Sequence, residues 1–136
     1  MIQRIQTVYL LFSLIASVVM FIVPVIGLNS ASFKITDEGF TSLGILTGAI
    51  CAISFATIIL FKKRTLQIRL CLYNMILFFF FYGLLYYILH SNEISISDVD
   101  FGFGVILPAI CFILTFLAFR SIRRDDALIK SMDRLR

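Results

Sequence analysis

Four long uncharged apolar runs constrain this chain more than any other feature. Thr7 to Leu28 carries no charged residue over 22 positions, Leu43 to Phe61 none over 19, Leu70 to Leu89 none over 20, and Phe101 to Phe119 none over 19. A helix rises about 1.5 Å per residue and a bilayer's hydrocarbon core is roughly 30 Å thick, so each run is long enough to cross once. Helices are expected because hydrocarbon offers no partner to backbone N–H and C=O groups. A membrane β-barrel would alternate polar and apolar residues, and these runs are apolar on every face. Sixty per cent of the 136 residues are apolar and only 15% charged, more grease than a soluble fold of this length can bury. The expectation is one all-α domain over residues 1–136. It is a four-helix transmembrane bundle with spans near 7–28, 43–61, 70–89 and 101–119, and a C-terminal cytoplasmic amphipathic helix over 120–136.

Charge sets the expected orientation. The net charge of +4 is confined to short segments between the runs, which argues against nucleic acid as partner. Arg4, the 62–69 segment (Lys62, Lys63, Arg64, Arg69) and the tail (Arg120, Arg123, Arg124, Lys130, Arg134, Arg136) fall on one side of a four-span layout. Eleven of the twelve basic residues lie there with three acids, Asp125, Asp126 and Asp133. The other side has Lys34 against Asp37, Glu38, Glu93, Asp98 and Asp100. The positive-inside rule then puts both termini in the cytoplasm. The first run is too long for a signal-peptide core, and Ser30 and Ser32 make a poor cleavage site, so an uncleaved anchor is expected. Tyr9 and Tyr73 near one boundary, and Tyr86 and Tyr87 with His90 near the other, suit the interfacial belts.

Gly44, Gly48, Ala52 and Ala56 recur every four residues and are expected to form a close-packing seam within the bundle, with a homodimer interface as the sharper alternative. Ser13 and Ser17 make a shorter ladder in the first span. Pro24 and Pro108 are expected to kink their spans, and Gly102 and Gly104 to open the fourth flexibly or by close packing. Asn74 is an intramembrane amide expected to hydrogen-bond a neighbouring helix. The Phe78–Phe81 block reads as lipid-facing or packing bulk. Phe33-Lys34-Ile35-Thr36 and Ile94-Ser95-Ile96-Ser97 alternate apolar and polar, and could pair as a small two-stranded cap. In the tail, Leu128, Met132 and Leu135 form a helical stripe, and Asp126 and Lys130 an i,i+4 pair. Its basic residues suit anionic lipid headgroups or a membrane protein partner.

Chemistry-bearing patterns are sparse. The runs hold no Asp, Glu, Lys, Arg or His, whereas ion-coupled transporters usually carry an intramembrane ionisable group. Cys51, Cys71 and Cys111 form no CxxC and read as small buried hydrophobes. His90 and Glu93 sit one helical turn apart, but structural zinc wants four ligands. With no serine-hydrolase motif and no glycine-rich phosphate loop, the residues argue against an enzyme and indicate no cofactor or metal site. Both ends of the chain, Met1-Ile2-Gln3-Arg4-Ile5-Gln6-Thr7-Val8-Tyr9-Leu10 and the tail Arg120-Ser121-Ile122-Arg123-Arg124-Asp125-Asp126-Ala127-Leu128-Ile129-Lys130-Ser131-Met132-Asp133-Arg134-Leu135-Arg136, resemble a bacterial membrane family known as domain of unknown function 4293. The resemblance implies a bacterial inner-membrane location and carries no activity. The expected role is a non-enzymatic accessory, assembly or scaffold component. The rival is an oligomeric transporter or channel subunit, for which Thr47, Ser54 and Thr57 offer a sparse polar face.

Overall fold

The computed structural model describes residues 2–28, 31–33, 38 and 40–135. Within them lie four α-helices: α1 (Ile2–Val19), α2 (Thr41–Ile59), α3 (Arg64–Ser91) and α4 (Phe103–Arg134). The neighbouring pairs are α1–α2, α2–α3, α3–α4 and α1–α4, so the helices form an up-down-up-down square. One end holds α1's first residues, the α2–α3 turn and the end of α4; it is called here the termini end. The opposite end carries a small three-stranded antiparallel sheet of order β2-β1-β3, built from β1 (Ile26–Leu28), β2 (Ala31–Phe33) and β3 (Val99–Phe101). Three helices are long and apolar enough to cross a membrane, namely Thr41–Lys62, Arg64–Ser91 and Phe103–Arg134; the apolar stretch Arg4–Val19 of α1 is shorter.

Each helix buries a line of residues at heptad spacing. The lines are Gln6, Leu10, Ser13, Ser17 and Met20 at α1; Leu43, Thr47, Ile50, Ser54 and Thr57 on α2; Gln67, Cys71, Asn74, Phe78, Phe81, Leu85 and Ile88 on α3; and Gly104, Pro108, Cys111, Thr115, Ala118, Ile122 and Asp125 on α4. Alternating steps of four and three keep a seam facing its neighbours, the pattern of left-handed bundle packing. Many seam residues are small or polar, while the outward faces carry Ile15, Ile45, Phe55, Ile76, Phe79 and Ile113. A water-soluble bundle has the reverse arrangement. The observed arrangement suits helices able to cross a membrane, because lipid rewards close packing and interhelical hydrogen bonds rather than apolar burial.

The first span departs from expectation. The helix stops at Val19 instead of running to Leu28. Tightened turns follow, with the Phe21 and Ile22 amides donating to the carbonyls of Val18 and Val19. Pro24 disfavours helical backbone at the residue before it, and the rest of the run becomes β1. The predicted two-stranded cap is likewise corrected. Ile94–Ser97 forms no strand, since Ile96–Asp98 is a short 3-10 turn and the strand is Val99–Phe101. β1 supplies the partner for both others, with Ile26 opposite Phe33 and Phe101. Lys34, Ile35 and Thr36 of the other predicted strand lie outside the described residues.

At the end of α3, Glu93 takes a left-handed conformation (φ 56°). The Glu93 amide donates to the His90 carbonyl and the Ile94 amide to that of Leu89. This is a Schellman closure with glutamate where glycine is usual.

Two glycines join the sheet to α4. The Gly102 amide donates to the Val25 carbonyl at 3.2 Å, and the Gly104 amide to the Pro24 carbonyl at 3.3 Å. A Cβ on Gly102 would stand 2.6 Å from the Pro24 oxygen. One on Gly104 would stand 2.7 Å from that oxygen and 2.9 Å from the Val25 Cα. Of the flexible or close-packed entry expected at these glycines, the structure shows the close-packed one, a backbone-to-backbone contact with no room for a side chain. Pro108 lies inside α4, where it cannot donate to the carbonyl four residues back. Next to that gap, the Tyr82 hydroxyl on α3 donates to the Val105 carbonyl at 2.7 Å.

Candidate functional site

Polar side chains form a column through the bundle. On α1 and α4, the Ser13 and Thr115 hydroxyls meet at 3.0 Å, and Thr115 also donates to the Cys111 carbonyl. Between α1 and α2, the Cys51 thiol reaches the Ser17 hydroxyl at 3.2 Å. Between α2 and α3, Asn74 Nδ2 donates to the Ser54 hydroxyl at 2.8 Å, which is the interhelical role expected of Asn74. Asn74 Oδ1 is buried with no partner among the described residues. Thr47 and Thr57 donate to the carbonyls of Leu43 and Ile53 on their own helix. Apart from the Asn74 amide oxygen, the column is engaged in side-chain and helix-carbonyl bonds.

The termini end gathers the strongest polar groups. Gln6 at the start of α1 donates through Nε2 to the Asp125 carboxylate on α4, and both residues are buried. Gln67 on α3 donates to the Thr57 carbonyl at 3.2 Å. Beside them opens a pocket of about 460 Å³ lined by Arg4, Gln6, Thr7, Val8, Leu11, Phe61, Arg64 and Gln67. Arg64 is the first residue of α3, whose N-cap, Lys63, makes no side-chain cap bond. Its Nη1 is buried with no partner among the described residues. A guanidinium nitrogen out of reach of solvent and acceptor is costly. The uncapped start of α3 adds the partial positive charge of a helix N-terminus beside it.

The predicted seam needs correction. Gly44, Gly48, Ala52 and Ala56 lie one residue round α2 from its buried line; Gly44, Gly48 and Ala56 are half-buried and Ala52 is exposed. A Cβ on Gly48 would meet nothing within 4 Å. One step along a helix turns about 100°, so the ladder flanks the interface instead of forming it. In the Phe78–Phe81 block, Phe78 and Phe81 are core, while Phe79 and Phe80 face outward.

The tail continues α4 without a break. Ile122 and Asp125 are its last buried residues, and everything from Ala127 to Leu135 is exposed. Lys130 pairs with Asp126 at 3.0 Å, as the spacing suggested. The Arg123 guanidinium sits 5.6 Å from the Phe119 ring centroid. Arg120, Arg124 and Arg134 are exposed, and Arg136 lies outside the described residues.

Sequence reasoning missed the pairing of Gln6 with Asp125 and the burial of Arg64 Nη1. The signal was present: extending α4's heptad line backward from Ile122 to Cys111 and forward by three residues reaches Asp125. Among the described residues no cluster of His, Cys, Asp or Glu could hold a metal, and Cys51, Cys71 and Cys111 are free thiols. No curated protein and no solved structure shows a significant match to the chain. The family described as domain of unknown function 4293 matches residues 2–135, nearly the whole chain with both ends included, and the chain belongs to that family.

Proposed function

We propose that the chain is a non-enzymatic accessory, assembly or scaffold component of the bacterial inner membrane, with four spans and both termini in the cytoplasm. The apolar stretch Arg4–Val19 of α1 would cover about 24 Å, short of a hydrocarbon core of roughly 30 Å, so in a four-span layout the turn residues before β1 would complete the first crossing. Eleven of twelve basic residues belong to the segments at the termini end, which favours that end as cytoplasmic.

The single observation behind the scaffold reading is how α4 ends. The bundle's interior hydroxyls are engaged with each other, with Asn74 and Cys51, or with carbonyls of their own helix, whereas the end of α4 leaves Leu128, Ile129, Met132 and Leu135 exposed among basic residues. An apolar stripe on a basic helix suits a headgroup surface or a partner's groove. Crosslinking in native membranes followed by purification tests it. A fixed membrane partner that is lost when residues 127–136 are deleted is the expected result. Robust solute or ion flux from liposomes holding the purified chain, with no partner recovered, would favour the transporter reading instead.

A further inference from the structure

The pocket at the termini end combines three features that meet nowhere else among the described residues. Arg64 has a buried guanidinium nitrogen with no acceptor. Arg4 supplies a second cation from α1, with Gln6, Thr7 and Gln67 adding polar groups to the wall. The remaining lining, Val8, Leu11 and Phe61, is apolar and exposed on the outer face of the bundle. Two arginines and an exposed apolar wall in one pocket match the polarity of a phospholipid, phosphate beside hydrocarbon. Guanidinium groups take phosphate oxygens in paired, charge-assisted hydrogen bonds, and the uncapped start of α3 adds its amide dipoles. A volume of about 460 Å³ suits a headgroup, being within the usual size of ligand sites.

We propose that this pocket holds the phosphate of an anionic phospholipid, Arg64 and Arg4 on the phosphate and an acyl chain along Val8, Leu11 and Phe61. A free phosphate ion shares the headgroup chemistry but leaves the apolar wall without a ligand, so the lipid is the favoured source. The site is distinct from the exposed cations of the tail and does not depend on any protein partner.

Native mass spectrometry of the full chain in detergent tests this with phosphatidylglycerol, phosphatidylcholine and inorganic phosphate as probes. Phosphatidylglycerol is expected to stay bound about tenfold more than phosphatidylcholine, and Arg64→Gln to lower its retention about tenfold. Arg64→Lys should restore part of the loss, keeping charge without the fork. The double tail variant Arg123→Gln/Arg124→Gln should leave retention unchanged. Equal retention of the two lipids, an unaffected Arg64→Gln protein, loss of binding in the tail variant, or displacement of the lipid by millimolar inorganic phosphate would each overturn the assignment. Because the chain has no tryptophan, Leu11→Trp provides a second readout with both arginines intact. Its fluorescence should be quenched by brominated phosphatidylglycerol in vesicles more than by brominated phosphatidylcholine. Equal quenching would overturn the proposal even if Arg64→Gln failed to fold.

Discussion

The two ends of the bundle are held by different means. At the sheet end, a large apolar cluster that includes Met20, Val25, Phe40, Leu43, Phe81 and Leu85 surrounds a direct contact of main chain with main chain, Gly102 and Gly104 against Pro24 and Val25. At the termini end the apolar cluster shrinks to Leu10, Cys71, Ala118 and Ile122. Side-chain polarity takes over there, in Gln6 with Asp125 and in Arg64 with an unmet nitrogen. Close backbone contacts leave no room for a side chain, whereas a polar side chain left partly unsatisfied can still be completed by a ligand.

The largest expected effect would come from breaking the sheet end. Gly104→Ala forces a methyl group to within 3 Å of the Pro24 and Val25 backbone and should cost about 3 kcal/mol. Unfolding in mixed micelles measures it, and a loss below about 1 kcal/mol would show that this end can give way. At the termini end, Gln6→Ala leaves the buried Asp125 without its donor and should cost about 2 kcal/mol. Asp125→Asn, which keeps a hydrogen-bonding group in place, should cost about half as much or less. Equal losses in the two variants would mean that the carboxylate's charge, not its hydrogen bond, matters there.

The smallest effect is expected at Gly48. Gly48→Leu starts from a Cβ position with nothing within 4 Å, beside α2's seam, and should change monomer stability by under about 0.5 kcal/mol. Loss of a dimer on size exclusion, with the monomer's stability kept, would assign the small-residue ladder to contact between copies.

What could be read from the sequence follows from this division. Hydropathy located α2, α3 and α4 well, since long uncharged runs leave little choice in lipid. It failed over Phe21–Leu28, where apolar composition is the same for helix and strand and only Pro24 marked the change. The α2 seam was misplaced because residue size was weighed without the period. Thr47, Ser54 and Thr57 belong to the heptad line, and Gly48 and Ala52 stand beside it. Asn74 was legible as an isolated amide in an apolar run, though its partner Ser54 was not. The Arg64 pocket could not be read, because it depends on α1 and the α2–α3 turn meeting across sixty residues of chain.

Tyr82 has a mechanical consequence. Its hydroxyl rests on one carbonyl beside the proline turn of α4. Sliding α3 along α4 by a single turn, about 5.4 Å, would leave the Tyr82 hydroxyl without this acceptor. The bond therefore ties the register of the two longest helices near the sheet, at the end of the bundle away from Arg4 and Arg64.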